Sequence, residues 1–224
     1  MTLIRRQVRS LARDNDSLRD DRLIIVACDD TYAPTQYFSF FKMPRVHVHV
    51  ISTEDGTSAA KHVLDRLLKF DKEPDDELWM LLDTDHCIRP QHSKEFINAI
   101  RRARRNGVNI ALSKPCFELW LLLHHIDISA VKSLADAGDA ERKLREILGS
   151  YNKTKLKSED FPIGSVAPAC EKAGILNEKS GGGYRPKENM SQVYLLWKSI
   201  LTKSLPNQIP TELRPLTFQM RSTP

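Results

Sequence analysis

The chain has 224 residues, 41% of them hydrophobic and 28% charged, which suits one large packed domain with or without a small appendage. Its 34 basic and 29 acidic residues leave a formal net charge of +5, a mild bias that permits a polyanionic partner without requiring one. No apolar run is long enough to span a bilayer, and Met1 leads into charged sequence rather than an apolar signal segment, so a cytoplasmic protein without a membrane span is expected.

Residues 1–21 are dense in charge and read as a polar N-terminal arm. Leu23 to Cys28 is apolar throughout, the pattern of a strand covered on both faces, and it ends in Asp29-Asp30. A helix through Tyr37, Phe38, Phe40 and Phe41 follows, with Pro34 suited to its start. Val46, Val48 and Val50 alternate with His47 and His49, which predicts a strand with one more polar face. Helical spacing returns from the Gly56 region through Ala59, Val63, Leu64, Leu67 and Leu68. Glu77 to Leu82 is the second doubly covered strand, and it runs into Asp83-Thr84-Asp85-His86. Pro90 opens a helix that Asn106-Gly107 closes. Val108 to Ser113 is a fourth strand, followed by Lys114-Pro115-Cys116-Phe117-Glu118 and an apolar helix ending at His124-His125.

This alternation predicts an α/β core over 22–128, a parallel sheet of about four strands with helices on both faces. Residues 129–205 read as a mainly helical extension packed on it, with helices through Ala140, Leu144, Ile147 and Leu148 and through Val193, Trp197 and Leu201. Residues 206–224 read as a tail. Gly181-Gly182-Gly183 lacks the Lys-Ser/Thr of a phosphate-binding loop and reads as a flexible loop. Cys28, Cys87, Cys116 and Cys170 contain no Cys-x-x-Cys pair, which excludes a zinc ribbon and favours small buried hydrophobes.

Ligands of a parallel sheet bind outside the carboxyl ends of its strands. Asp29 and Asp30, Asp83 and Asp85, and Glu118 all fall at such ends, with His86 and Lys114 on the same edge. Neighbouring carboxylates repel, and a hard cation such as Mg²⁺ or Mn²⁺ relieves the repulsion while accepting few protein ligands. Such a cation positions a phosphodiester and activates water. The bland alternatives are a polar loop with Asp85 capping the next turn, and Glu118 capping its own helix. Arg101, Arg102, Arg104 and Arg105 form the densest basic run, either a solvated helix end or a phosphate-contacting ridge, and Lys153 and Lys155 lie in a second basic segment.

Several segments resemble the RloB-like (AbiLii-like) phage-defence family: Cys28-Asp29-Asp30 followed by Tyr37-Phe38, Asp83-Thr84-Asp85, and Ser113-Lys114-Pro115-Cys116-Phe117-Glu118-Leu119-Trp120. Tyr151-Asn152-Lys153-Thr154 and Asn189-Met190-Ser191-Gln192 add to the likeness, which covers most of residues 22–200. The resemblance implies a Toprim/Rossmann-like fold and a Mg²⁺-dependent nuclease acting on DNA or RNA. It further implies a role in anti-phage defence or abortive infection beside an ABC- or OLD-like ATPase. On that reading Asp29, Asp30, Asp83 and Asp85 hold the cation, and Glu118 joins Asp29, Asp83 and Asp85 in catalysis. Lys114 contacts phosphate, while His86 and His124 orient the acids. The sequence departs from the family where Glu-Gly and then Thr-Glu are usual: here stand Asp29-Asp30 and Ala33-Pro34. That departure motivates the alternative of a catalytically weakened subunit that binds nucleic acid or a partner. A nucleotide-binding switch ranks last, because no glycine-rich loop follows the first strand.

Overall fold

The computed structural model describes residues 22–30, 32–51, 59–84 and 90–221. Its centre is β1 (Arg22–Cys28), whose Ile24, Ile25, Val26 and Ala27 are fully buried. β2 (Val46–Ile51) and β3 (Glu77–Asp83) flank it in parallel, and β4 (Asn109–Lys114) runs parallel to β3. The uninterrupted apolar runs of β1 and β3 follow from this central position, since both faces of each strand are covered. β2 lies at the edge, and its alternating residues leave His47 and His49 exposed.

Among the described residues the sheet has five strands rather than about four, in the order β2-β1-β3-β4-β5. β5 (Met190–Ser191) comes from the C-terminal part and pairs antiparallel with β4. Two residues are too few for a period-two pattern, so composition alone does not reveal this strand.

The chain steps one way from β1 to β2 and back across β1 to β3. Right-handed crossovers therefore put α1 (Tyr32–Ser39) and α2 (Ala60–Lys69) on opposite faces. α2 packs on β1 and β3 beside α3 (Pro90–Arg105). Gly107 ends α3 at φ 69°, and the N–H groups of Gly107 and Val108 bond to the carbonyls of Arg104 and Ala103, a Schellman closure. The expected helix opening at Gly56 lies outside the described residues.

After β4 come α4 (Glu118–Leu122), which still belongs to the core, and then α5 (Ile128–Val131), α6 (Ala137–Leu148), α7 (Val166–Lys179), α8 (Val193–Lys203) and α9 (Arg214–Arg221). α6 and α8 are the two expected helices; α7 is a further one, whose buried face is mostly small (Ala167, Ala169, Cys170 and Ala173 between Val166 and Leu176) and so shows no stripe of large residues. Trp197 of α8 meets the rings of Tyr37, Phe38 and Phe41, so the extension and the sheet share one core. The expected tail is a correction: Ile209, Leu213 and Leu216 are buried. These anchors are spaced among polar residues and prolines, which hides them from a reading by composition. No helix among the described residues is long and apolar enough to cross a membrane.

Candidate functional site

Parallel register sets Cys28 beside Leu81 and Asp83 beside Ser113, so β1, β3 and β4 end on one edge. There Asp29 bridges two strand ends. Its Oδ1 accepts the N–H of Asp30 at 2.9 Å and its Oδ2 accepts the N–H of Asp83 at 2.7 Å. Asp30 in turn accepts the N–H of Tyr32, the first residue of α1, at 2.9 Å and pairs its other oxygen with Lys153 Nζ at 2.8 Å. The hydrogen bond to Asp30, reinforced by the charges of Asp30 and Glu118, raises the Lys153 ammonium pKa against the opposing effect of burial.

Lys153 arrives on the segment after α6, and Gln36 of α1 fixes that segment. Its Nε2 donates to the Lys153 carbonyl at 2.6 Å, and its Oε1 accepts the Leu156 N–H at 2.8 Å. Glu118 is only 6% exposed, and its Oε1 accepts the Tyr151 hydroxyl at 2.8 Å. Burial first, and then the charge of Glu118, push the Tyr151 hydroxyl far above the usual range. Phe117, not Glu118, occupies the N-cap of α4, and no side chain caps there.

Two buried thiols report the field of the acids. Burial, then Asp29, Asp83 and Asp30, push Cys28 well up; burial, then Glu118 and Asp83, do the same to Cys116. Both stay neutral thiols rather than thiolate ligands. The aligned ends of β1, β3 and β4 and the Asp29–Asp83 hydrogen bond put Asp29, Asp30, Asp83 and Glu118 in one neighbourhood. Arg66 of α2 enters it from below and donates to the Cys28 carbonyl at 3.0 Å.

The other expected site residues are dispersed. Lys114 Nζ donates to the carbonyls of Pro186 and Lys187 at 3.1 and 2.8 Å, so it holds a neighbouring segment. α3 leaves the acidic edge and runs back to the start of β4, about 24 Å for 16 residues. Arg101, Arg102, Arg104 and Arg105 therefore lie at its far end, and the structure does not bring them to the acids. Arg102 pairs with Asp65, and Arg104 lies over the Tyr184 ring. Lys155 is exposed just beyond Lys153. Asp85 and His86 lie outside the described residues.

His124 belongs to the aromatic core rather than to the acids. Trp197 Nε1 donates to the Tyr37 oxygen at 3.2 Å, which leaves the Tyr37 hydroxyl to donate to His124 Nε2 at 3.1 Å. His124 Nδ1–H then donates to Ser165 Oγ at 2.6 Å, and that hydroxyl donates to the Pro162 carbonyl at 2.7 Å. Both ring nitrogens are thus occupied away from the carboxylates. Burial, helped by His125 and Lys172, lowers the His124 pKa to about 3 and keeps the ring neutral.

As donors, these oxygens fit a hard cation, and Mg²⁺ accepts one or two carboxylates while keeping several waters. Among the described residues no group of three His, Cys, Asp or Glu is placed to hold a metal ion. Sequence reasoning did not single out Gln36 or Arg66, and it met Tyr151 only as part of a motif. Gln36, one turn into α1 after the acids, was the available signal.

Fold and edge together define an α/β protein whose mostly parallel sheet gathers carboxylates at the carboxyl ends of its strands. The chain belongs to the RloB-like protein family, whose model matches residues 24–200. No curated protein and no solved structure matches it. The family membership suggests a defence-associated protein.

Proposed function

We propose that this protein is a Mg²⁺-dependent nuclease of the Toprim type, hydrolysing phosphodiesters in anti-phage defence beside an ATPase subunit. One observation carries the reading: Asp29 and Asp30 after β1, Asp83 at the end of β3 and Glu118 just beyond β4 are drawn to one sheet edge, where Asp29 accepts the Asp83 N–H and Lys153 meets Asp30. The hard oxygen donors at that edge favour Mg²⁺ or Mn²⁺. Asp83 and Asp85 would hold the cation, with Asp29 and Asp30 beside them. The cation's contribution is polarisation of the phosphate and activation of water. The chain's own contribution is placement. Asp29 holds the main chain at Asp83, Tyr151 holds Glu118, and Gln36 holds the segment that presents Lys153 to a phosphate oxygen. Cleavage of single- and double-stranded DNA and RNA, with Mg²⁺ and with EDTA, tests this. Asp83→Asn and Asp85→Asn are each expected to abolish Mg²⁺-dependent cleavage; undiminished cleavage by both variants would overturn it.

A second reading, a binding or regulatory subunit without turnover, draws support from the positions where the sequence departs from the family. Both Asp29 oxygens hold backbone N–H groups, and Asp30 is paired with Lys153. It predicts nucleic-acid binding without cleavage and no tight Mn²⁺ uptake in an electron paramagnetic resonance titration.

A further inference from the structure

A cavity of about 300 Å³ opens at the ends of β3 and β4, along α3; Asp29, Asp30, Asp83 and Glu118 do not line it. Thr84, which follows Asp83, and Lys114, which closes β4, line one side; Ser93 and Phe96 of α3 line another; Tyr184 and Arg185 complete it.

The Tyr184 wall is built, not loose. Gly181, Gly182 and Gly183 all have positive φ, at 79°, 61° and 75°, a run that residues with a Cβ rarely adopt. The N–H groups of Gly181 and Gly182 bond to the carbonyls of Glu178 and Asn177, each at 3.0 Å, and turn the chain sharply off α7. Beyond the turn, Lys114 holds the carbonyls of Pro186 and Lys187, and Gln192 Nε2 reaches that of Gly183 at 3.4 Å. The triple glycine is therefore a fixed corner that delivers Tyr184 and Arg185, where the sequence suggested a flexible loop.

The lining combines an aromatic ring, cationic donors and an acceptor. Tyr184 is half-buried, with the Arg104 guanidinium 5.4 Å from its ring centroid. Arg185 is exposed and makes one long bond, Nη2 to Ser93 Oγ at 3.4 Å, although a guanidinium offers five N–H donors. Asp136 adds a carboxylate, one of whose oxygens caps α6 through the Asp139 N–H. A space of about 300 Å³ lies at the small end of ligand pockets and suits one nucleoside better than a base pair with its backbones. Unpaired bases are recognised by such aromatic and donor-acceptor combinations.

We infer that this cavity receives one unpaired nucleotide of the substrate strand, its base on Tyr184, so that single-stranded or looped nucleic acid is the substrate class. The inference rests on the nuclease reading of the neighbouring acids. Fluorescence anisotropy with a fluorescein-labelled single strand, the same strand in a duplex, and AMP, in EDTA and again with Ca²⁺, tests it without relying on cleavage. The single strand is expected to bind about tenfold or more tighter than the duplex. Tyr184→Ala and Arg185→Ala should each weaken single-strand binding, the first by about fivefold to a hundredfold, with circular dichroism and melting unchanged. Equal affinity for strand and duplex, or unchanged binding in both variants, overturns the inference. Binding of AMP without binding of the strand also overturns it, by making the cavity a free-nucleotide site. Mg²⁺-dependent cleavage is scored separately. Selective binding with no cleavage sinks the nuclease reading and leaves the cavity assignment. Equal cleavage of strand and duplex, undiminished in Tyr184→Ala, does the reverse.

Discussion

The carboxylate of Asp29 accepts the backbone N–H of Asp83 at 2.7 Å, so the acid that closes β1 holds the main chain where β3 leaves the sheet. Asp29→Ala removes the acceptor and leaves that part-buried N–H without it. Unfolding in urea should show a loss of about 1–3 kcal/mol for Asp29→Ala. Asp83→Asn keeps the N–H and should unfold close to the parent. Similar stability of the two variants would show that the bridge contributes little.

The Asp30–Lys153 pair is partly exposed, at 25% and 44%, so its contribution to stability is expected to be at most about 1 kcal/mol. Its importance should appear in nucleic-acid binding. Lys153→Met is expected to weaken binding and to flatten the plot of log affinity against log salt by about 0.7–0.9, the share of one phosphate contact. An unchanged slope removes Lys153 from the phosphate-contacting residues.

His124 makes the fold sensitive to acid. Its folded pKa is lowered to about 3, chiefly by burial, while in the unfolded chain it lies near ~6.5. Between those values the unfolded state binds the extra proton, so this contribution is full above pH ~6.5 and falls with pH until the folded value is reached. The limiting slope is about 1.4 kcal/mol per pH unit. Urea midpoints measured across this window should decline in the parent and decline less in His124→Gln.

Glu77 should give a second, lower window. Burial pushes its carboxyl up, but bonds from Lys203, Ser199 and Trp79 outweigh it, and the net pKa lies below the ordinary carboxylate value. Its stabilisation is therefore present above the unfolded carboxylate pKa and lost as pH falls through the folded one. Glu77→Gln should melt below the parent at neutral pH, and the gap should close below pH ~4. A gap that persists in acid would assign the loss to packing between β3 and α8.

Tyr37→Phe tests the buried relay. It deprives Trp197 Nε1 of its acceptor and His124 Nε2 of its donor, with an expected cost of about 1–3 kcal/mol for each group left unpaired. A near-parental urea midpoint would show that other groups compensate.

The order of residues alone made the doubly covered strands β1 and β3 legible, because continuous burial demands continuous apolar runs. It also determined that acids follow both of them, and it marked the end of α3 at Asn106-Gly107, because few residues besides glycine accept that backbone. What those acids meet became visible in the folded chain. Asp30 and Lys153 stand 123 positions apart, and no local period encodes their pairing or the role of Gln36 in presenting Lys153. The basic run 101–105 looked suited to phosphate, yet the direction of α3 carries it away from the acidic edge. β5, α7 and the buried anchors at Ile209, Leu213 and Leu216 were equally hidden: each is short, small-sided or interrupted, and takes its shape from the surface on which it packs.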